Sequence, residues 1–141
     1  MTSNSTEQGV KEKISFQLTS EIIRHRLKSD GARFHANDNI SDYIFPGEFD
    51  TLQEEVEMRV KELLKSLLID IDNDHNSQDT AKRVARMYLN EVFKGRYHKQ
   101  PNVTDFPNAR NLDEIYTLGP ISVRSACSHH LVPIIGDCWI G

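Results

Sequence analysis

The 141-residue sequence is poor in cysteine, lacks long apolar runs and has no excess of positive charge. Its two cysteines are too few for the disulfide framework of a small secreted domain. It has no stretch of about 18 apolar residues, so we expect no membrane-spanning helix and no membrane partner. The opening letters, MTSNSTEQGVKEKISF, lack the apolar segment of a secretory signal. Together these absences predict a reducing, cytoplasmic location.

The charge balance argues against a general affinity for polyanions. Lysine and arginine number 17 against 21 aspartates and glutamates, which gives a formal net charge of −4. We therefore expect no nucleic-acid partner, because such proteins carry an excess of positive charge over a surface. A local pair of cations can still bind a small anion.

The chain is short enough for one domain, and its apolar periodicity divides it into three segments. Residues 1–15 are polar and aperiodic, which predicts a disordered arm. Residues 16–50 combine a short helix over 18–27 with an irregular stretch rich in Asn, Asp, Gly and Pro. Residues 51–141 form the third segment and contain the strongest periodic signals.

Two helices are predicted at the start of the third segment. The first runs over about 51–68, and its apolar positions recur at steps of three and four: Leu52, Val56, Val60, Leu63, Leu64 and Leu67. The second runs over about 80–93, begins at Thr80 as N-cap and ends near Gly95. Residues 94–113 contain two prolines and several Asn and Asp, which predicts a loop.

After this loop the apolar period changes from helical to two. Ile121, Val123, Ser125 and Cys127 share one face of a predicted strand, and 134–140 form a second strand. The connection between them carries Ser128-His129-His130. Helices followed by an antiparallel β-hairpin predict an α+β fold.

The helix from Thr80 is a candidate anion site. Arg83 and Arg86 lie three residues apart, away from the apolar stripe of Ala81, Val84, Ala85, Tyr88 and Val92. Arg83 falls in the first turn, where free N–H groups and the positive end of the helix dipole attract anions. Two interpretations stay open from this segment alone, a phosphate cradle or a solvated basic face.

The run Cys127-Ser128-His129-His130 is a candidate zinc site. Thiolate and neutral imidazole are common zinc ligands, and Cys127 and His130 have the Cys-x-x-His spacing of half a site. His129 would be left to transfer protons, since an imidazole changes charge near neutral pH. The alternative is a small buried cysteine beside surface histidines.

Cys138 offers two further alternatives. Its place on the second strand, in step with Ile134, Gly136 and Ile140, indicates a core residue. It can also be nominated as a missing ligand, or as one of four in a closed structural site with Cys127, His129 and His130. Adjacent histidines are poorly placed to bind one tetrahedral ion, which weighs against the closed site.

Two segments in this order resemble one family. DTAKRVARMYLNEVFKG and then FPNARNLDEIYTLGPISVRSACSHHLVPIIG are similar to GTP cyclohydrolase I, over roughly Leu52 to Gly141. The resemblance implies a zinc-dependent hydrolase that converts GTP and water into formate and 7,8-dihydroneopterin triphosphate, at the start of folate and pteridine biosynthesis. It also implies a homo-oligomer, decamer-like, with sites between subunits.

The resemblance assigns roles to five residues. Cys127 and His130 match two zinc ligands, and His129 matches a proton-transferring histidine. Arg83 matches a triphosphate contact, and Arg86 stands where many members have lysine, which keeps the charge and changes its geometry.

The sequence also departs from the family pattern. A third zinc-binding cysteine within His-x-Cys-x-x-x-Arg-Gly, a Gly-Leu-Ser-Lys segment and a guanine-binding glutamate are not present in the 141 residues. We therefore expect an incomplete tunnelling fold and a chain that is inactive alone. The alternative is a non-catalytic, zinc-binding or oligomer-forming remnant that regulates a full-length partner.

Overall fold

The computed structural model describes residues 18–105, 107, 109–111 and 113–141. The predicted arm over 1–15 lies outside these residues. The described part contains four α-helices, α1 (Thr19–Ser29), α2 (Glu48–Ser66), α3 (Thr80–Met87) and α4 (Lys94–Tyr97), and two strands, β1 (Leu118–Ala126) and β2 (Pro133–Ile140). A 3₁₀ turn spans Ser41–Tyr43, and a π-helical segment, Tyr88–Val92, continues α3. None of the described helices has the length and apolar character needed to cross a bilayer.

A small core joins α1 and α2 to the π-helical segment. Ile23 and Leu27, one turn apart on α1, pack against α2 at Leu52. Leu89 of the π-helical segment and Ile40 complete the buried cluster, and Leu89 is 2% exposed. The helix predicted over 18–27 is thus confirmed as α1; of its apolar positions Ile23 and Leu27 face the core, whereas Ile22 is exposed.

The segment between α1 and α2 is irregular, as predicted, but polar contacts hold it in place. Arg26 donates to both carboxylate oxygens of Glu48, at 2.9 and 2.7 Å, and its guanidinium lies 3.7 Å from the centre of the Phe45 ring. This ion pair lowers the pKa of Glu48, since hydrogen bonds from Arg26 favour the carboxylate. Farther along, Asn39 donates to the carbonyls of Gly95 and His98, each at 2.7 Å. The contact of Arg26 with Phe45 docks the segment on α1, the bonds of Asn39 dock it on α4, and the Arg26–Glu48 pair links α1 to α2.

Helix α2 begins three residues before the predicted start and is only partly buried. Gly47, at a φ of +86°, precedes it, and Glu48 and Asp50 in the first turn favour the positive end of the dipole. Leu52 is buried, but Leu63 and Leu67 are 56% and 61% exposed. The predicted helical period is correct, while its C-terminal half is not covered by the described residues.

The helix predicted over 80–93 changes character halfway. It is α-helical to Met87, and then the amide of Phe93 donates to the Tyr88 carbonyl at 2.9 Å, a bond between residues five apart. Asp79, not Thr80, is its N-cap. Gly95 does not end the helix as predicted, because it lies inside α4, where the next turn forms. The predicted loop over 94–113 was therefore wrong at its first four residues.

The two strands form the predicted antiparallel hairpin. Ala126 pairs with Pro133 and Ile121 with Cys138, and the register is irregular between Leu118 and Ile121. The irregularity coincides with Gly119-Pro120, where proline cannot donate to the ladder. Helices followed by this hairpin confirm the α+β class.

The hairpin leaves most of its apolar side chains exposed within the described chain. The predicted core face of β2 is not buried, because Ile134 and Ile140 are 49% and 58% exposed. The opposite face is equally open at Ile135 and Trp139, which are 68% and 62% exposed. Strand β1 also packs against the π-helical segment.

Candidate metal centre

The connection between the strands, residues 127–132, forms a tight turn that we call the ligand turn. The amide of Leu131 donates to the Cys127 carbonyl at 2.8 Å, and the amide of Cys127 donates to the Val132 carbonyl at 3.0 Å. Leu131 takes up a left-handed backbone conformation, with φ of +57°, which is unusual for a residue with a large side chain. The ends of β1 and β2 thus fix the backbone direction at Cys127.

Within the ligand turn, the two predicted zinc ligands lie side by side. The Cys127 Sγ and His130 Nδ1 atoms are 3.9 Å apart. Tetrahedral zinc with ordinary Zn–S and Zn–N bonds would place such atoms about 3.6 Å apart. The pair therefore fits one metal ion after a movement of a few tenths of an ångström.

The backbone of the ligand turn favours the ligand form of the cysteine. The N–H groups of His130 and then His129 lower the pKa of the Cys127 thiol below its ordinary value, against a smaller effect of burial. The thiolate, rather than the thiol, binds metals. Cys127 is half-buried, not fully buried, so the interpretation as a small core residue loses support.

The His129 ring lies apart from that of His130. Its ring centre is 6.3 Å from that of His130, with 49° between the ring planes, and both side chains are exposed. This arrangement leaves His129 available for a role other than metal binding.

The hairpin register separates Cys138 from the ligand turn. Cys138 pairs with Ile121, six residues before Cys127, which corresponds to about 20 Å along the strands. Cys138 therefore cannot join Cys127 and His130 around one ion, and a closed site using both cysteines is excluded in this chain. Among the described residues, no group of three or more His, Cys, Asp or Glu side chains is placed to hold a metal.

The two candidate phosphate arginines differ in their surroundings. Arg83 folds back to the start of its helix, where Nη2 donates to the Asn76 carbonyl at 3.0 Å and Nη1 lies 4.0 Å from Asp79. Arg86 is exposed and forms no ion pair within the described part of the chain. The two side chains share one helix, but the present contacts do not bring their guanidinium groups together on one ligand.

Tyr88 is a residue whose contact with the site the sequence analysis missed. It was assigned to the apolar stripe of the helix, but its Oη atom donates to the Leu131 carbonyl at 2.8 Å. A tyrosine on an apolar stripe often places its hydroxyl on a polar partner, and this tendency could have predicted such a contact for Tyr88. The bond connects the arginine-bearing helix to the ligand turn.

A groove of about 530 Å³ between α4 and β1 is a second feature that sequence reasoning missed. Lys94, His98, Lys99 and Arg124 line it together with one carboxylate, Glu91. Lys94, His98 and Lys99 are close in sequence, on or directly after α4, whereas Arg124 comes from β1, so the approach of Arg124 to the other three is not visible along the chain.

Comparison with known proteins places the chain in a family. The family model for GTP cyclohydrolase I matches residues 56–141. Proteins named GTP cyclohydrolase 1 from Shewanella sp. (strain ANA-3), Shewanella putrefaciens (strain CN-32 / ATCC BAA-453) and Aliivibrio salmonicida (strain LFI1238) are each 36% identical to it over 89 residues. In each comparison the alignment covers 62% of this chain and 41% of the relative.

The chain thus spans about two fifths of the length of the curated relatives it matches. The matched region contains the whole ligand turn and the arginine-bearing helix, the two motifs that carried the resemblance. Because the family model matches more than half of the chain, the assignment to the family does not depend on a short motif. This chain belongs to the GTP cyclohydrolase I family.

Proposed function

We propose that this chain provides part of a GTP cyclohydrolase I active site. The reaction is the hydrolytic opening of the purine ring of GTP, which gives formate and 7,8-dihydroneopterin triphosphate for folate or pteridine biosynthesis. The observation that supports this most directly is the 3.9 Å separation of Cys127 Sγ and His130 Nδ1 on a backbone-fixed turn.

In this proposal Cys127 and His130 hold the metal. Bound zinc supplies Lewis-acid activation of water at neutral pH. The lowered pKa of the Cys127 thiol supports the role, because the ligand is then available as thiolate. The distance between the two donor atoms is compatible with the tetrahedral S and N ligation that zinc prefers.

His129 is proposed as the proton-transferring residue. Its ring lies apart from the Cys127–His130 pair but only one residue from it, so it can reach a substrate held at the same turn. A positioned imidazole serves as general acid or base in many hydrolytic reactions.

Arg83 and Arg86 are proposed to bind the triphosphate. Arg83 must exchange its contacts with Asn76 and Asp79 for phosphate oxygens, whereas Arg86 is already open to solvent. Phosphate competes well for guanidinium, because the planar fork of donors matches its oxygens.

We also propose that residues 1–141 by themselves do not turn over GTP. The described residues bring together two candidate zinc ligands, and catalytic zinc sites use three protein ligands. A third ligand from outside this set, within the tunnelling fold of a homo-oligomer, would complete the site. Cytoplasmic location stays a prediction from the sequence.

The second candidate function is an oligomer-forming or zinc-binding module that regulates a full-length partner. The exposed apolar side chains of the hairpin favour it, since such faces promote association. Mixing residues 1–141 with a full-length family member separates the two functions: changed activity of the partner supports regulation, and unchanged activity opposes it.

The proposal is tested with purified residues 1–141, GTP and zinc, by measuring formate release, pterin fluorescence and bound zinc. We expect zinc binding without turnover, loss of zinc in Cys127→Ala, and retained zinc in the matched Cys138→Ala. Robust turnover would overturn the proposal that residues 1–141 are inactive alone. Zinc binding that survives Cys127→Ala would overturn the proposed metal site.

A further inference from the structure

We propose that Tyr88 is a positioning residue that holds the ligand turn against the arginine-bearing helix. This inference rests on the proposed metal site at Cys127 and His130, and it extends that site to a residue that is not one of the proposed ligands. The helix in question is α3 with its π-helical continuation, residues 80–92.

A continuous series of hydrogen bonds runs from Tyr88 to the candidate ligand. The Tyr88 hydroxyl donates to the Leu131 carbonyl at 2.8 Å, and the Leu131 amide donates to the Cys127 carbonyl, also at 2.8 Å. Leu131 holds a φ of +57°, a conformation that persists only where surrounding contacts determine it. Tyr88 thus bonds to Leu131, the residue of the turn whose left-handed backbone conformation is least favourable by itself.

The ligand turn has few other attachments. The side chains of Leu131 and Val132 are 50% and 58% exposed, and both histidines are exposed as well. Across the part of the chain that the structure describes, the Tyr88–Leu131 bond is the one side-chain hydrogen bond that joins the turn to the helices. Its removal therefore leaves the turn without a side-chain hydrogen bond to the helices among the described residues.

The π-helical segment explains why Tyr88 can make this contact. Phe93 donates its amide to the Tyr88 carbonyl, and the two rings stack with centres 5.8 Å apart and 24° between planes. Leu89 and Val92 of the same segment are 2% and 6% exposed and face the core. The widened turn directs Tyr88 to the hairpin while its neighbours stay buried, and π-helical turns are frequent at functional sites.

The contact also relates the two proposed halves of the site. Arg83 precedes Tyr88 by five residues, which is about 7.5 Å along a helix. A hydrogen bond at Tyr88 therefore sets the distance between the candidate phosphate arginine and the candidate metal ligands. One substrate spans both, so a shift of the turn would change metal geometry and the alignment of substrate together.

The variant that isolates this bond is Tyr88→Phe, because it removes the hydroxyl and keeps the ring stacked on Phe93. The matched control is Tyr43→Phe. Tyr43 is also half-buried against the core, and its hydroxyl makes no hydrogen bond within the described residues. Both variants and the parent are made as residues 1–141 and compared by thermal unfolding, to verify that they fold alike.

Cobalt(II) is the probe for metal geometry, because its thiolate and ligand-field absorption report on coordination. We expect Tyr88→Phe to weaken cobalt binding about 3- to 10-fold, the scale of one net hydrogen bond, and to change the ligand-field bands. Tyr43→Phe should match the parent in both. A Tyr88→Phe protein with the parent's affinity and spectrum would overturn the positioning role, while a thiolate band abolished by Cys127→Ala would show that the metal site itself stands.

Amide hydrogen exchange tests Tyr88 without any metal. In Tyr88→Phe we expect faster exchange at the amides of Leu131 and Cys127, with unchanged exchange in α1 and α2. If the parent gives no thiolate band, the proposed metal site fails, and exchange alone decides whether Tyr88 holds the turn. Unchanged exchange at both amides would overturn the inference independently.

Discussion

Ile121 lies directly opposite Cys138 in the hairpin, so Cys127 stands six residues away from the second cysteine along the strands. The cysteines are thus about 20 Å apart, whereas a disulfide needs Cα atoms within about 7 Å. Both thiols are free.

We therefore expect mild oxidation of residues 1–141 to yield no intrachain disulfide. Non-reducing electrophoresis and intact mass measurement should show free thiols or covalent dimers only. Cys138→Ala serves as the control, since it removes one route to dimers and leaves the ligand turn intact. A monomer that has lost a pair of hydrogen atoms would contradict the observed register.

The Arg26–Glu48 pair predicts a pH-dependent contribution to stability. The folded-state pKa of Glu48 is lowered by Arg26, so the stabilisation is complete above the unfolded pKa and is lost as pH falls through the folded pKa. Glu48→Gln should cost about 1–2 kcal/mol of unfolding free energy at neutral pH, and its difference from the parent should shrink in acid.

Urea denaturation at neutral pH and below the ordinary glutamate pKa measures this change. Glu62→Gln is the matched control, because Glu62 pairs with Lys65 at 3.5 Å on an exposed helix face and such pairs contribute little. Equal pH dependence in the parent and Glu48→Gln would show that the ion pair does not stabilise the fold.

Leu89→Ala should strongly destabilise the protein, because Leu89 is 2% exposed and completes the core between α1 and α2. We expect a loss of about 2–5 kcal/mol, the usual cost of such a cavity. Leu68→Ala, at a site 93% exposed, should change stability by less than about 0.5 kcal/mol. Similar denaturation midpoints for the two variants would refute the assigned core.

Arg83→Ala and Arg86→Ala should each weaken the binding of inorganic triphosphate, and the parent's affinity should fall with added salt. We expect a loss of about tenfold for each, the scale of one charge-assisted hydrogen bond. Isothermal titration calorimetry measures the affinity, with Arg59→Ala as the control, since Arg59 is an exposed arginine on α2. If Arg59→Ala weakens binding as much, the attraction is nonspecific.

The open hairpin predicts self-association of residues 1–141. Ile135→Lys should shift sedimentation toward monomer, because Ile135 is 68% exposed on a face it shares with Trp139. Met58→Lys on α2, at a site 43% exposed, is the control. A parent that sediments as a monomer at all concentrations would contradict the prediction.

Much of the fold follows from local sequence signals. The three-and-four spacing around Leu52, the alternation after Gly119 and the turn residues at 128–130 predicted α2, the two strands and their connection. Such periodicities indicate the type of each element, even where its apolar face is not covered by the described residues, as on β2. The pairing of Cys127 with His130 was also visible, because residues three apart in a tight turn are close in any fold.

The tertiary structure decided the relationships that cross between elements. Leu89 became core, Gly95 entered α4 rather than ending a helix, and Tyr88 reached Leu131, because packing of the π-helical segment against α1, α2 and β1 outweighed local preference. Sequence spacing carries no information on a contact 43 residues apart. For the same reason the sequence could not exclude Cys138 as a ligand, whereas the hairpin register separates it from Cys127. The proximity of Cys127 and His130, by contrast, depends on the turn alone.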